Sequence, residues 1–173
     1  MTDATSLAEL SRLERPEFVR RLGAVFEHSP WVIERAWEKR PFADKPAFYA
    51  RLAETLNEAG RERQMALINA HPELAGKAAI RGELTADSAR EQAGAGLAAC
   101  TPEEFTAIRR LNDAYREKFG WPFIVAVKGL SRTLIIAEMT RRLARPADEE
   151  FAEALGQIIR IASFRLDGLI AGN

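Results

Sequence analysis

Apolar residues recur along this chain at intervals of three and four, the period of a helix, and one short run alone departs from it. Leu7 and Leu10 predict a brief turn within residues 1–14. Pro16 suits the first turn of a second helix, whose stripe is Phe18, Leu22, Val25 and Phe26. His28-Ser29-Pro30 breaks it. Ser29 as cap and Pro30 at the first position predict the next helix, with Trp31, Ala36 and Trp37, which Pro41 ends. Another opens between Asp44 and Pro46, carries Phe48, Tyr49, Leu52 and Leu56 on one side, and stops at Gly60. Residues 61–70 predict a further helix with Met65 and Ile68 turned inward.

His71-Pro72 follows. Proline disfavours the α region for the residue before it, so His71 is expected at or just past a helix end. After a loop, Thr85 caps a helix with Ser88, Glu91 and Gln92, and Gly94 and Gly96 weaken its end. Thr101-Pro102-Glu103-Glu104 combines a cap, a proline at the first position and a glutamate at the third, and the helix it opens buries Phe105, Ile108, Leu111, Tyr115 and Phe119 before Gly120. Ser131 caps a helix with Leu134, Ile135, Met139 and Leu143. The last helix is expected from about Ala147 to Ile170, with the stripe Phe151, Leu155, Ile158, Ala162, Leu166 and Leu169.

The departure is 121–129, WPFIVAVKG, a β-branched apolar run bounded by proline and glycine that reads as extended. No second such run offers a partner strand. Its backbone N–H and C=O groups therefore call for side chains, water or a ligand rich in amide-like groups. The expectation is an all-α fold, a single-domain multi-helix bundle over residues 1–173 with one short extended segment near 121–129.

Composition narrows the function. An apolar share of 47% fits a packed globular protein, and 173 residues suffice to bury about 70% of the unfolded chain's surface. Lys+Arg 25 against Asp+Glu 25 argues against nucleic acid or an anionic membrane as the main partner. One cysteine, Cys100, allows no internal disulfide and no CxxC pair, which fits a reducing, cytoplasmic setting. No signal-peptide pattern or membrane-length apolar run is present. No phosphate loop, dinucleotide fingerprint or nucleophile elbow occurs, and two histidines without acidic or cysteine partners at ligand spacing give no metal signature.

Three places could carry chemistry, each beside a plainer reading. His71 suits proton transfer near neutral pH, or it simply closes a helix. Ser88, Glu91 and Gln92, at i, i+3 and i+4, share one helix face among small residues and could grip a heterocycle, or form a solvated face. Arg165 falls in the apolar row Ile158, Ala162, Arg165, Leu169. A guanidinium there needs an anion, either an internal carboxylate or a substrate group held bidentately. His28 reads as structural and Cys100 as inert.

Five ordered blocks give a further lead: Phe26 to Trp31 (FEHSPW), His71 to Gly76 (HPELAG), Ser88 to Gln92 continuing through Leu97, Phe119 to Gly129 (FGWPFIVAVKG), and, more weakly, Ile161 to Leu166. With them the chain resembles the family of 2-oxo-4-hydroxy-4-carboxy-5-ureidoimidazoline (OHCU) decarboxylases of urate degradation, over about residues 20–170. The resemblance implies an all-α domain, a homodimer, no cofactor or metal, and decarboxylation of OHCU to (S)-allantoin. It implies His71 and Glu91 as the catalytic pair. It implies substrate contacts from Pro72, Ser88, Gln92, Arg165 and the backbone of Phe123, Ile124, Val125, Ala126 and Val127. Two other readings are a non-catalytic helical interaction module and a carboxymuconolactone-type or peroxidase-like helical decarboxylase, with the missing CxxC counting against redox members of the latter.

Overall fold

The computed structural model describes residues 5–171. Its order of helices is α1 (Leu7–Arg12), α2 (Arg15–Leu22), α3 (Trp31–Trp37), α4 (Lys45–Asn57), α5 (Arg61–Ala70), α6 (Lys77–Arg81), α7 (Ala86–Gly94), α8 (Pro102–Phe119), α9 (Arg132–Leu143) and α10 (Ala147–Asp167). Short 3₁₀ turns follow α2 at Gly23–Val25 and α7 at Leu97–Ala99. Among the described residues there is no strand, only an isolated bridge between Thr5 and Ile170. The all-α expectation holds.

Local chemistry accounts for most boundaries. Ser6 and Glu9 cap α1 reciprocally, and Thr101 and Glu104 do the same for α8. Asp44, Thr85 and Ser131 each accept a hydrogen bond from a first-turn N–H of α4, α7 and α9. Gly120 ends α8 at φ 82°, a left-handed conformation that favours glycine, and its N–H returns to Arg116 O at 2.8 Å. Where the fold departs from the pattern, the cause is packing or cap geometry. Pro30, already in the helical region, caps α3 in place of Ser29. In α5, Leu67 is buried beside Ile68 while Met65 is only half-buried. α9 buries the row Ile135, Met139, Arg142 and leaves Leu134 54% exposed. α10 stops at Asp167, where the chain turns back through Leu169 N–H to Leu166 O at 2.9 Å, and Leu169 lies outside the helix and exposed. α6, within the loop after His71, has too little apolar periodicity to read from sequence.

Contacts gather into two compact units. One runs up to Ala70 and resumes at Ile158; the other is His71–Gln157. The first is built on Phe18, Phe42 and Phe48, all buried, with ring centroids 4.5 to 6.3 Å apart. Each such side chain contributes about 1.5–3 kcal/mol on burial. Trp37 Nε1 donates to Leu13 O at 2.9 Å, and Tyr49 OH donates to Asp167 Oδ1 at 2.6 Å. The second unit centres on α8. Tyr115, Phe119, Trp121, Phe123 and Phe151 form a chain of ring contacts between 4.6 and 5.5 Å.

Candidate active site

His71 is the first residue after α5 and is 7% exposed. Pro72 follows it, and the loop through Gly76 is then held by side chains from two helices. Gln92 on α7 makes two bonds to it: the Ala75 N–H donates to its Oε1 at 3.0 Å, and its Nε2 donates to Glu73 O at 3.3 Å. Asn112 on α8 donates to Leu74 O at 2.9 Å. Arg116, one turn further on, holds the Glu73 carboxylate at 2.8 Å. Ala75 sits at φ 48°, a left-handed conformation costing about 1–2 kcal/mol for a residue with a Cβ. Asn112 and Gln92 hold the C=O and the N–H of the peptide that leads into that strained residue, and over-determined strain of this kind gathers at functional sites.

The polar face of α7 is turned inward. Ser88 and Gln92, four apart, are 4% and 6% exposed, and Glu91 between them on the helix is half-buried. A solvated face is therefore excluded for Ser88 and Gln92. Thr85 fixes the start of this helix by accepting from Ser88 N at 3.3 Å. At its far end Gly96 takes φ 75°, and Arg132 Nη1 donates to its carbonyl at 3.2 Å while Arg132 Nε binds Glu104 at 2.7 Å. A Cβ on Gly96 would meet Arg132 Nη1 at 2.8 Å, so the guanidinium would have to shift, and φ 75° itself favours glycine there. An apolar groove of about 430 Å³ runs on from Gln92 along Ala75, Ala79, Ile80 and Phe105.

The extended run is Phe123–Val127, buried throughout. Its unpaired backbone is answered in part from within the protein, which sequence reasoning left open. Arg142 Nη1 donates to Ile124 O at 2.7 Å, and the Ala126 N–H donates to Gln157 Oε1 at 2.9 Å. Arg142 is fully buried, donates through Nε to Glu150 Oε1 at 2.6 Å, and lies 4.4 Å from the Phe123 ring centroid. Tyr115 OH donates to the same Glu150 oxygen at 2.6 Å. Burial, then this contact with a carboxylate, pushes the Tyr115 phenol well above its ordinary range. α8 thus serves both parts of the unit: Asn112 fixes the loop after His71, and Tyr115, one turn on, supports the extended run.

Sequence reasoning missed Arg142 and Glu150. The signal was present, since Arg142 continues the row Ile135, Met139 and Glu150 opens the row Ala154, Ile158. These are charges in apolar rows, the same cue that singled out Arg165. Arg165 itself belongs to the other unit. There Nη2 pairs with Glu27 Oε1 and Nη1 donates to Val25 O, both at 3.2 Å, so an internal carboxylate is one of its partners. His28 is exposed at φ 45°. Burial, then Glu104 nearby, raises the Cys100 thiol's pKa, which disfavours the thiolate. Among the described residues, no three His, Cys, Asp or Glu groups converge as a metal site, and no helix is long and apolar enough to cross a membrane.

The sequence model of the family described as OHCU decarboxylase matches residues 11–167. A 2-oxo-4-hydroxy-4-carboxy-5-ureidoimidazoline decarboxylase of Halalkalicoccus jeotgali is 37% identical over 164 residues, 95% of this chain and 91% of its own. The Haloferax volcanii protein of the same name is 38% identical over 161 residues, 93% and 94% of the two chains. In fold, the chain matches a crystal structure of (S)-allantoin synthase with a TM-score of 0.76 at 24% identity, over 96% of this chain and 54% of that one.

Proposed function

The chain belongs to the OHCU decarboxylase family, and from that premise we propose that His71 and Glu91 carry out the family's reaction, the decarboxylation of OHCU to (S)-allantoin. The carboxylate leaves from a ring carbon that also bears a hydroxyl and adjoins a C=N bond. As the C–CO₂ bond breaks, its electron pair forms a C=C bond to the neighbouring ring carbon, and the C=N pair moves onto nitrogen, which takes a proton. The hydroxyl then gives up its proton as C=O forms, and the neighbouring carbon is protonated on one face. One substrate anion and one proton become allantoin and CO₂. The ring is its own electron sink, so the chemistry requires no pyridoxal, thiamine or metal.

His71 draws on the hydroxyl proton and helps expel CO₂. Glu91 orients the imidazole or the ureido group. The pairing is supported by the two bonds of Gln92, which fasten the helix carrying Ser88, Glu91 and Gln92 to the loop that follows His71. Burial of Ser88 and Gln92 fits a gripping face around a small polar ring. Pro72 and the Phe123–Val127 backbone complete the substrate contacts. Arg165, held by Glu27 and Val25 O, is taken as a contact to an anionic or carbonyl group on the resemblance. We take the enzyme as a cytoplasmic homodimer; sedimentation at two concentrations tests the assembly.

The test is direct. His71→Ala and Glu91→Ala are expected to keep the wild-type circular dichroism spectrum yet yield allantoin no faster than the spontaneous reaction, and racemic. A loss of about 10²–10⁴-fold is the usual reach of a positioned acid or base. Wild-type rates from either variant remove that residue from the mechanism.

A further inference from the structure

The buried row of α8 is Ile108, Asn112, Tyr115 and Phe119, and Asn112 is the amide in it, 4% exposed. A leucine would fill such a place with no polar group to satisfy. What the asparagine supplies is one donor: Nδ2 reaches Leu74 O at 2.9 Å. Its other end draws nothing from the fold. Oδ1 is buried, and among the described residues no protein group donates to it. An amide that leaves half of its bonding unused in the core is a poor stabiliser. Its presence is explained by what the donor holds.

That is a single peptide plane. The C=O of Leu74 and the N–H of Ala75 belong to one peptide group. Asn112 on α8 takes the first, and Gln92 Oε1 on α7 takes the second at 3.0 Å. A planar group held at both its oxygen and its nitrogen cannot turn about the chain. The plane leads into Ala75 at φ 48° and lies within a turn that the Gly76 N–H closes on Glu73 O at 3.3 Å. A Cβ on Gly76 would lie 2.8 Å from Glu73 Cβ, so this turn has no slack. Between the plane and His71 stand Glu73, whose carboxylate Arg116 holds at 2.8 Å, and Pro72, whose ring fixes its own φ. Few free torsions thus separate His71 from the clamped peptide. Gln92 adjoins Glu91, so the helix that grips this peptide is also the one that carries the glutamate.

We infer that Asn112 is a positioning residue of the proposed reaction: by pinning the Leu74–Ala75 peptide against Gln92, it sets where His71 stands relative to Glu91. The inference rests on the reading of His71 and Glu91 as the catalytic pair.

Asn112→Leu separates this role from a structural one. The variant exchanges one buried acceptor without a protein partner, Asn112 Oδ1, for another, Leu74 O, so its urea midpoint is expected close to wild type. Its kcat with OHCU is expected to fall about tenfold or more with KM within about twofold, because a base displaced by a fraction of an ångström is felt in the transition state. The chain has two histidines, and His28 lies in the other unit, so the imidazole signals of a proton NMR spectrum carry their own control. The His71 signal is expected to move in Asn112→Leu and the His28 signal to stay. An unfolded variant, or a midpoint far below wild type, makes Asn112 structural and overturns the proposal. Wild-type kcat in the folded variant overturns it as well, whether or not the His71 signal moves. His71→Ala tells the two failures apart: if it is inactive, only the role of Asn112 falls, and if it too is active, the reading of the pair falls with it.

Discussion

Arg142 and Arg165 belong to different units, and each is an arginine set into an apolar helical row and bound to a glutamate and a backbone carbonyl. They differ in burial and in the length of these bonds. Arg142 and Glu150 are both inaccessible to solvent; their bonds include Nε to Oε1 at 2.6 Å and Nη1 to Ile124 O at 2.7 Å, and Tyr115 also donates to the carboxylate. Arg165 and Glu27 retain 5% and 1% side-chain exposure, and Arg165 reaches Glu27 Oε1 and Val25 O at 3.2 Å each. Short charged hydrogen bonds in full burial make a structural fixture; longer ones hold a guanidinium less tightly. Two similar cues in sequence become a clamp on the backbone in one unit and, in the other, the arginine that the family resemblance proposes as a substrate contact.

The comparison breaks or sharpens in three experiments. The largest effect is expected from Arg142→Ala, which takes the buried guanidinium away from the Glu150 carboxylate and from the Ile124 carbonyl. The cost is about 3–5 kcal/mol, read as a fall in the urea midpoint. A loss under about 1 kcal/mol would show that Arg142 is no more committed than Arg165. Next comes Arg165→Lys, which keeps the charge and loses the fork. It is expected to lower kcat/KM about tenfold or more with only a small change in Tm. Activity that merely follows the folded fraction would make Arg165 a fixture as well.

The smallest effect comes from an exposed pair. Glu17 is bound by Arg20 at 2.6 Å and by Arg21 at 2.7 Å, and these contacts, Arg20 first, pull its carboxyl from an ordinary 4.5 to about 2. A lowered carboxyl stabilises the fold above its ordinary pKa, and that contribution is lost as pH falls from about 4.5 through about 2. Glu17→Gln is therefore expected to flatten the acid limb of a stability profile in that window and to move Tm at pH 7 by under about 2 °C, as solvent screens such pairs. A larger shift at pH 7 would mean that burial is not what separates the two interior arginines from the surface.

Much of this was legible in the residues. The caps at Asp44, Thr85, Thr101 and Ser131 and the breaks at Gly60 and Gly120 mark helix ends, because capping is settled within four residues of chain. The stripe Phe18, Leu22, Val25, Phe26 fell inward as its period requires. The ordered blocks around His71, Ser88 to Gln92 and 119–129 placed the chain in its family. Less legible was the use of each polar group. Gln92 was read as part of a binding face, and the fold also makes it the fastener of the loop after His71. Leu134 looked inward and is exposed, because Arg142 and its neighbours set which side of α9 is buried.

By itself, then, the sequence determined where helices begin and end, which stretch cannot be helical and which residue types are available for proton transfer, since these depend on neighbours a few positions away. Only the tertiary structure decided who meets whom: that Glu150 answers Arg142 and Glu27 answers Arg165, and that Gln157 takes the Ala126 N–H 31 residues before it. The reason is physical. A buried charge or amide must find a partner, but the demand is satisfied by whichever group packing brings within about 3 Å, and no local pattern encodes that distance.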